Sequence, residues 1–239
     1  MTVPSLTNRV ALVTGASRGI GRAVALALSK AGAHVIACAR RQSALEDLDD
    51  EIQRQGGTAT LVQFDLKDAE KIDLLGPSIY ARWKKLDIFV GNAAILGPLS
   101  PLNHIKASDW QDVMAVNTTA NWLLLRTLDP LLRASDAGRV VFMTAAAAEA
   151  KRAYWAPYAT SKAGLEALAK TYAQEVENAS VRVNLIDPGP VRTELRARAY
   201  PGENPGILTA PEAVAPLVMK AVAADFDANG TQLRYPEDL

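Results

Sequence analysis

A tyrosine and a lysine, Tyr158 and Lys162, lie four residues apart in the segment YATSK. That spacing places both side chains on one face of a helix. A free tyrosine has a pKa of about 10, and a nearby ammonium group lowers that pKa by favouring the phenolate. The pair therefore predicts a group that exchanges a proton with a substrate oxygen. Taken alone, such a pair is more commonly an exposed helix contact, so the interpretation depends on the rest of the chain.

A glycine-rich segment, TGASRGIG (14–21), follows the apolar run RVALVT and opens a helical pattern rich in alanine and leucine. Gly15 permits a tight turn there. Gly19 and Gly21 allow a diphosphate to approach the backbone at the start of the helix. The alternative is a glycine turn that binds nothing. The order of strand, loop and helix favours a dinucleotide site.

Arginines stand where many dinucleotide-binding chains have a carboxylate. An acidic residue near the end of the second strand binds the ribose 2′-hydroxyl of NAD and would repel the 2′-phosphate of NADP. Here the second strand ends at Arg40 and Arg41, and Arg18 lies in the glycine loop. Guanidinium groups bind phosphate by paired hydrogen bonds and by charge. The pattern predicts NADP(H) as the favoured cofactor, with NAD(H) possible; the alternative is that these arginines are solvated surface charges.

The elements that position these residues alternate along the chain between short apolar runs and longer helical patterns. Strands alternating with helices predict a parallel sheet covered on both faces. We expect one α/β domain over residues 1–239, a Rossmann-like doubly wound parallel sheet flanked by helices. The predicted strands are 9–14, 34–40, 58–65, 86–93, 138–144, 181–187 and 231–235, and the predicted helices are 19–32, 43–57, 69–84, 108–134, 157–177 and 211–224.

Two details of local structure follow from the same pattern. Ser43 is a plausible N-cap for the second helix, because its hydroxyl could accept from an unpaired backbone N–H. The stretch 188–211 has no regular pattern, and a loop of that length in a compact domain is usually functional. We therefore expect a lid over the substrate at about 190–208.

Together these motifs resemble those of the short-chain dehydrogenase/reductase family, over nearly the whole chain. The resemblance implies an NADP(H)-dependent oxidoreductase that interconverts a carbonyl and an alcohol by hydride transfer. Tyr158 would be its general acid/base, Lys162 would hold the nicotinamide ribose, and Asn117 would hold a water that connects Lys162 to solvent. Ala94 stands where the family has a glycine. The implied cofactor-binding residues are Gly15, Ser17, Arg18, Gly19, Ile20, Gly21, Arg40, Arg41, Asp65, Leu66, Asn92, Ala93, Tyr158, Lys162, Pro188, Gly189, Val191 and Thr193.

Four consecutive alanines, 145–148, depart further from the family pattern. The family's spacing from both Arg139 and Tyr158 places its catalytic serine at Ala145. The neighbouring Thr144 could reach the site only if the strand has ended or bulges, because successive strand side chains point to opposite faces. We expect a working or slow enzyme in which Thr144, a backbone N–H of 145–148 or an ordered water replaces the serine. The alternative is a catalytically weak or inactive NADP(H)-binding sensor or scaffold.

Three segments are expected to line a substrate pocket: 94–104, 146–157 and 190–208. They carry apolar and aromatic side chains together with several arginines. An acidic substrate is one interpretation of the arginines, and we favour the other, in which their charges face water. The wall residues are Leu96, Leu99, Tyr154, Trp155 and Tyr200, and the arginines are Arg152, Arg192, Arg196 and Arg198.

Composition limits the partners. The chain has 26 basic and 26 acidic side chains, so its charge gives no reason to expect nucleic acid or an anionic membrane. No apolar run approaches the ~18 residues that span a bilayer. The single cysteine, Cys38, fits a reducing compartment, and we expect a cytoplasmic protein. Neither His34 nor His104 has metal-ligand spacing, so we expect no metal. The resemblance implies a small-molecule substrate and a homodimer or homotetramer formed through helices 108–134 and 157–177.

Overall fold

The computed structural model describes residues 5–149 and 152–239, and its centre is a sheet of seven strands. The strands are β1 Val10–Thr14, β2 His34–Ala39, β3 Thr58–Gln63, β4 Ile88–Gly91, β5 Arg139–Met143, β6 Arg182–Asp187 and β7 Gln232–Arg234. Their order is β3-β2-β1-β4-β5-β6-β7, and every neighbouring pair is parallel. The predicted fold class, a Rossmann-like doubly wound parallel sheet, is confirmed.

Helices cover both faces of this sheet. They are α1 Gly19–Lys30, α2 Gln42–Arg54, α3 Ala69–Trp83, α4 Ala107–Met114, α5 Ala120–Arg133, α6 Ala156–Glu175, α7 Glu194–Ala199 and α8 Pro211–Ala221. Helices α1, α2 and α8 form one core with the sheet, and α3, α5 and α6 form the other. Within the described ranges, no helix has both the length and the apolar character needed to cross a membrane.

The central strands divide their side chains between the two cores. In β1, Ala11 and Val13 belong to the core of α1, α2 and α8, whereas Val10 and Leu12 belong to the opposite core. Every residue of β1 is buried, as is every residue of β4 and β5. Because both faces are covered, these strands are continuous apolar runs rather than alternating ones.

The carboxyl ends of β1 and β4 mark the point where the order of the sheet reverses. After β1 the chain builds outward to β3, then returns to β4, which pairs with the other side of β1. The loops after β1 and β4 therefore leave the sheet in opposite directions. A crevice at such a reversal is the usual ligand site of an open parallel sheet.

A wide helical turn interrupts the single helix that was predicted over 108–134. Residues Ala115–Thr119 form a π-helical turn between α4 and α5. Such turns insert one residue into a helix and are frequent at functional sites. Asn117 occupies the middle of this turn and is fully buried.

Two local predictions are corrected. Ser43 does not cap α2, because the helix begins at Gln42 after an extended Arg41, and no side chain caps it. The Gln42 side chain instead donates to Glu46 one turn later. The stretch 188–211 is not wholly irregular: Thr193 Oγ1 accepts from the Arg196 N–H and starts α7.

Candidate active site

A cleft of about 920 Å³ opens at the carboxyl ends of strands β1 to β6. Most of the predicted site residues lie on its wall. Gly21, Arg41 and Asn117 do not. The predicted residues that do line the cleft are Gly15, Ser17, Arg18, Gly19, Ile20, Arg40, Asp65, Leu66, Asn92, Ala93, Tyr158, Lys162, Pro188, Gly189, Val191 and Thr193.

The glycine loop packs so closely that side chains would not fit. A Cβ on Gly15, whose φ is +66°, would lie 2.9 Å from Asn92 Nδ2, and a Cβ on Gly21 would lie 2.3 Å from the Gly15 carbonyl oxygen. Gly21 therefore contributes close packing behind the loop. Asn92 Nδ2 donates to the Thr14 carbonyl at 2.9 Å, which ties the ends of β1 and β4 together. No side chain caps the first turn of α1, so its N–H groups are available to an anion in the cleft.

One end of the cleft is strongly cationic. Arg18 and Arg40 line it, and burial, together with repulsion from Arg41, Arg40 and Arg198, lowers the pKa of Arg18. Arg18 also contacts Glu194 at the start of α7. Both of those side chains are about half exposed, and exposed ion pairs contribute little. Converging guanidinium groups of this kind fit a dinucleotide that carries a 2′-phosphate.

Lys162 is buried on α6, and its ammonium group donates a 2.6 Å hydrogen bond to the Met143 carbonyl at the end of β5. Burial lowers the pKa of Lys162 to about 8, and the charges of Glu166 and Asp187 oppose part of that shift. An amine with this pKa remains largely protonated at pH 7. The site therefore contains a buried positive charge one helical turn after Tyr158.

Tyr158 lines the cleft and is 6% exposed, and Lys162 Nζ lies 5.8 Å from the centroid of its ring. Burial, and secondly the negative charge of Asp187, raise the pKa of Tyr158 above its usual value. The expected lowering of that pKa by Lys162 is thus wrong for this arrangement, in which the ammonium group is directed at the Met143 carbonyl. Tyr158 is held as a neutral phenol, the form that donates a proton.

Asn117 connects three elements through its side chain. Its Oδ1 accepts from the Ile95 N–H at 2.8 Å, and its Nδ2 donates to the Ile95 carbonyl and to Ser161 Oγ, each at 2.9 Å. Its carbonyl oxygen accepts from Asn121 Nδ2 at 2.9 Å. The amide thus holds the π-helical turn against α6 and against the segment after β4. The role predicted for it, holding a water for Lys162, stays a prediction.

Thr144 does not replace the missing serine. β5 ends at Met143, and the Thr144 hydroxyl donates to Glu166 Oε1 on α6 at 2.5 Å, in a buried environment. Ala145 lines the cleft with Ala146 and Ala147. Of the donors that were considered for the serine's place, Thr144 is therefore excluded by its bond to Glu166.

Several residues of the cleft were missed by sequence reasoning. Asp187 ends β6, lines the cleft, and acts on the pKa values of both Tyr158 and Lys162. Because Asp187 directly precedes Pro188, which was predicted to bind the cofactor, its place in the cleft could have been predicted from sequence. Cys38 also lines the cleft, and burial raises the pKa of its thiol to about 12. No cluster of His, Cys, Asp or Glu able to hold a metal ion occurs in residues 5–149 or 152–239.

The predicted substrate segments contribute unequally. Trp155 and Tyr200 line the cleft, and Leu96 is buried in the apolar cluster beside them. Leu99 and Tyr154 are exposed and do not line it. Among the arginines, Arg152, Arg192 and Arg196 lie on the cleft wall and Arg198 does not.

The parallel sheet, the glycine loop and the Tyr158–Lys162 pair at its carboxyl edge define a dehydrogenase of the Rossmann type. A family model for short chain dehydrogenases matches residues 9–204. The chain belongs to this family, and the prediction of an NAD(P)-dependent short-chain dehydrogenase/reductase is confirmed at the level of the family.

Individual relatives resemble the chain over nearly its full length. It is 36% identical to the oxidoreductase YciK of Escherichia coli K12, over 92% of this chain and 88% of the relative. A short chain dehydrogenase from Salmonella enterica serovar Typhi superposes with a TM-score of 0.94 at 37% identity, covering 98% of both chains. Another, from Escherichia coli CFT073 and complexed with NADPH, superposes with a TM-score of 0.93 at 34% identity, covering 98% of this chain and 99% of that one.

Proposed function

We propose that this chain binds NADP(H) and interconverts a carbonyl compound and an alcohol, with Tyr158 as general acid and base. The observation that carries the proposal is that Tyr158 and Lys162 line the same cleft as the glycine loop and Arg40. The NADPH held by the Escherichia coli CFT073 relative supports the choice of cofactor. When bound, NADP(H) supplies a hydride to the carbonyl carbon or accepts one from the alcohol carbon.

The residues of the chain supply the proton and the positioning. In the direction of reduction, Tyr158 gives its phenol proton to the substrate oxygen as negative charge develops there, and in oxidation it takes the alcohol proton. Lys162 holds the nicotinamide ribose through its buried ammonium group. Asn117 holds a water through which the proton is exchanged with solvent. These roles are supported by the burial of Lys162 beside Tyr158.

Other residues hold the rest of the cofactor. Arg18 and Arg40 bind the 2′-phosphate, and Asp65 contacts adenine. Backbone N–H groups at the start of α1 bind the diphosphate. The predicted cofactor residues on the loops after β4 and β6 position the nicotinamide and its ribose.

The second candidate is an NADP(H)-binding sensor or scaffold with little activity. Ala145 favours it, because the residue offers no hydroxyl to a substrate oxygen and the Thr144 hydroxyl is bound to Glu166. A panel of aldehydes, ketones and quinones separates the two candidates when NADPH consumption is measured. Consumption that depends on substrate supports the oxidoreductase. Tight NADPH binding without consumption by any member of the panel would favour the sensor.

We further propose that the chain is a single domain that forms a homodimer or homotetramer through α4, α5 and α6. Strands from residue 10 to residue 234 belong to one sheet, which supports the single domain. Trp122 on α5 is 48% exposed, which supports an interface on that helix. Light scattering on the wild type and on Trp122→Gln tests the assembly: a wild-type monomer would contradict it.

A further inference from the structure

The part of the cleft next to Tyr158 differs in character from the cationic end formed by Arg18 and Arg40. Its walls are apolar or aromatic, and they come from the loop after β5, the start of α6 and the helix α7. We call this part the substrate chamber; it is lined by Ala145, Ala147, Trp155, Leu195, Ala199 and Tyr200. An apolar wall of this kind binds the body of a substrate through burial rather than through hydrogen bonds.

Two aromatic rings form one side of the substrate chamber, next to the proposed proton donor. The Trp155 ring lies 6.0 Å from the Tyr158 ring, centroid to centroid, at an interplanar angle of 69°. It lies 5.7 Å from the Tyr200 ring at 44°. Flat π systems stack on or meet the edges of such rings with an energy beyond that of apolar burial. The wall therefore favours a flat, apolar substrate body.

A guanidinium group stands over the same two rings. The Arg152 guanidinium carbon is 5.5 Å from the Trp155 centroid and 5.2 Å from the Tyr200 centroid, and the group donates to the Tyr200 hydroxyl. Aromatic rings hold a guanidinium by its face and leave N–H groups at its edge for a planar anion. Arg152 is thus positioned by the walls of the substrate chamber.

The charge of Arg152 is not neutralised by a carboxylate within residues 5–149 and 152–239. Two neighbouring charged residues, in contrast, are paired with other side chains. Arg196, which stacks on Tyr200 at 3.7 Å, makes a two-fold hydrogen bond with Glu203 at 2.6 and 2.7 Å. Glu149 is paired with Arg234. Arg152 consequently retains its capacity to bind an anion at the wall of the cleft.

We propose that the substrate of this site is an aldehyde or ketone with a flat apolar body and a carboxylate group, and that Arg152 binds the carboxylate. The inference rests on the proposed function and adds the class of substrate. The carbonyl carbon gains a hydride from NADPH and its oxygen gains the Tyr158 proton. One carbonyl is therefore reduced for each NADPH oxidised, and the carboxylate is unchanged. Carboxylate and guanidinium form paired, charge-assisted hydrogen bonds, which give specificity as well as energy.

Pairs of substrates that differ only in charge test this inference. We would compare 4-formylbenzoate with its methyl ester, and 6-formyl-2-naphthoate with its methyl ester, because the two bodies differ in length. The measured quantity is kcat/KM for NADPH-dependent reduction. The acid should exceed its ester by about tenfold to a hundredfold in at least one pair, as expected for a hydrogen-bonded charge. Arg152→Gln should abolish that preference, and Arg152→Lys, which lacks the planar fork, should retain part of it.

Arg198→Gln is the matched control, because it removes a positive charge from α7 outside the cleft and should leave the preference unchanged. Reduction of acid and ester at equal rates in both pairs would overturn the substrate class while leaving the oxidoreductase intact. Calorimetry of 4-(hydroxymethyl)benzoate and 6-(hydroxymethyl)-2-naphthoate on the NADP⁺-loaded protein provides a readout that needs no turnover. Binding that depends on Arg152 without any reduction would overturn the carbonyl chemistry but support the anion site. Without Arg152-dependent binding or preference, the inference is wrong.

Discussion

The side chain of Ala145 lines the cleft beside Ala147 and packs in the cluster that contains Tyr158, yet it has no group that could donate to a substrate oxygen. The nearest hydroxyl in sequence, Thr144, donates to Glu166 instead. The position at which the family resemblance implies a serine therefore carries only a methyl group. We expect this replacement to affect the rate of reaction and to leave cofactor binding unchanged.

Ala145→Ser should raise turnover, because it returns a hydroxyl to the cleft wall. The loss of one such donor typically costs ~10²–10³ in rate, which bounds the gain. Steady-state kinetics with a substrate from the panel measures it. Ala148→Ser is the control, since Ala148 does not line the cleft. Unchanged turnover in Ala145→Ser would mean that a backbone N–H or a water already acts as the donor.

Tyr158→Phe should lower turnover by ~10²–10⁴, the range for loss of a general acid–base group, because the ring remains and the proton does not. NADPH affinity should stay near that of the wild type when calorimetry measures it. That comparison separates lost chemistry from lost folding. Full activity in the variant would show that another group supplies the proton.

Arg40→Asp should weaken NADPH binding and reverse the preference over NADH, because a carboxylate repels the 2′-phosphate and can accept from a ribose hydroxyl. Calorimetric titration of both cofactors gives the ratio of their dissociation constants. Arg41→Asp should have a smaller effect, since Arg41 does not line the cleft. Equal affinities of the wild type for both cofactors would contradict the prediction.

At the scale of elements, β5 and α6 are joined by two adjacent buried contacts. Lys162 donates to the Met143 carbonyl, and Thr144, the next residue of the chain, donates to Glu166 one helical turn further along α6. The contacts hold the start of the alanine segment against the helix that carries Tyr158. The distance between Ala145 and Tyr158 therefore depends on both bonds.

Thr144→Val should lower the free energy of unfolding by about 1–3 kcal/mol, because it leaves the buried Glu166 carboxylate without its hydrogen bond. Valine has nearly the shape of threonine, so little packing is lost. Urea denaturation measures the change. Thr160→Val, at an exposed position on α6, is the control and should change stability little. Equal stability of the two variants would mean that water replaces the threonine hydroxyl.

The strands and most helices could be predicted because their signals are local. Continuous apolar runs mark β1, β4 and β5, and a glycine with φ of +100°, Gly32, follows the end of α1. The π-helical turn could not be predicted from such signals. It is held by bonds from Asn117 to Ile95 and Ser161, residues distant in sequence. The start of α2 was misplaced because Ser43 is a capping residue by type, whereas the helix begins at Gln42 without any side-chain cap.

At the scale of the whole molecule, the buried ammonium group of Lys162 affects the free energy of unfolding as well as the candidate active site. Lys162 is 2% exposed, and its pKa falls from 10.5 to about 8. At pH values between about 8 and 10.5, the unfolded chain holds a proton on Lys162 that the folded chain has lost. The free energy of unfolding should therefore rise with pH across that window, because stability increases wherever the unfolded state binds more protons.

Lys162→Met should remove this rise, which amounts to roughly 3 kcal/mol for a shift of this size. Urea denaturation of the wild type and the variant between pH 7 and pH 10 measures it as the difference between two curves, in which contributions common to both proteins cancel. Lys170→Met, at an exposed position on the same helix, should run parallel to the wild type. A constant difference between wild type and Lys162→Met would show that Lys162 titrates as a solvated lysine.

The site was predicted where motif and topology agree, and missed where three-dimensional packing decides. The glycine loop, Tyr158 and Lys162 could be found because their spacing follows directly from one strand, one loop and one helix turn. The effect of Asp187 and Glu166 on the pKa of Lys162 could not be predicted from sequence, because it depends on burial and on which elements pack together. The sequence could not show which arginine is paired for the same reason: Glu203 neutralises Arg196, and that contact depends on the folded loop.

The position of Trp155 should make the tryptophan fluorescence of the protein sensitive to cofactor binding. All four tryptophans lie in the part of the chain that the structure describes, and Trp155 lines the cleft whereas Trp83, Trp110 and Trp122 do not. A reduced nicotinamide absorbs at the wavelengths where an indole emits. Excitation energy would therefore transfer from Trp155 to a reduced cofactor bound in the same cleft and quench the Trp155 fluorescence. Its emission would then report occupancy of the cleft, while the other three indoles contribute a background that changes less.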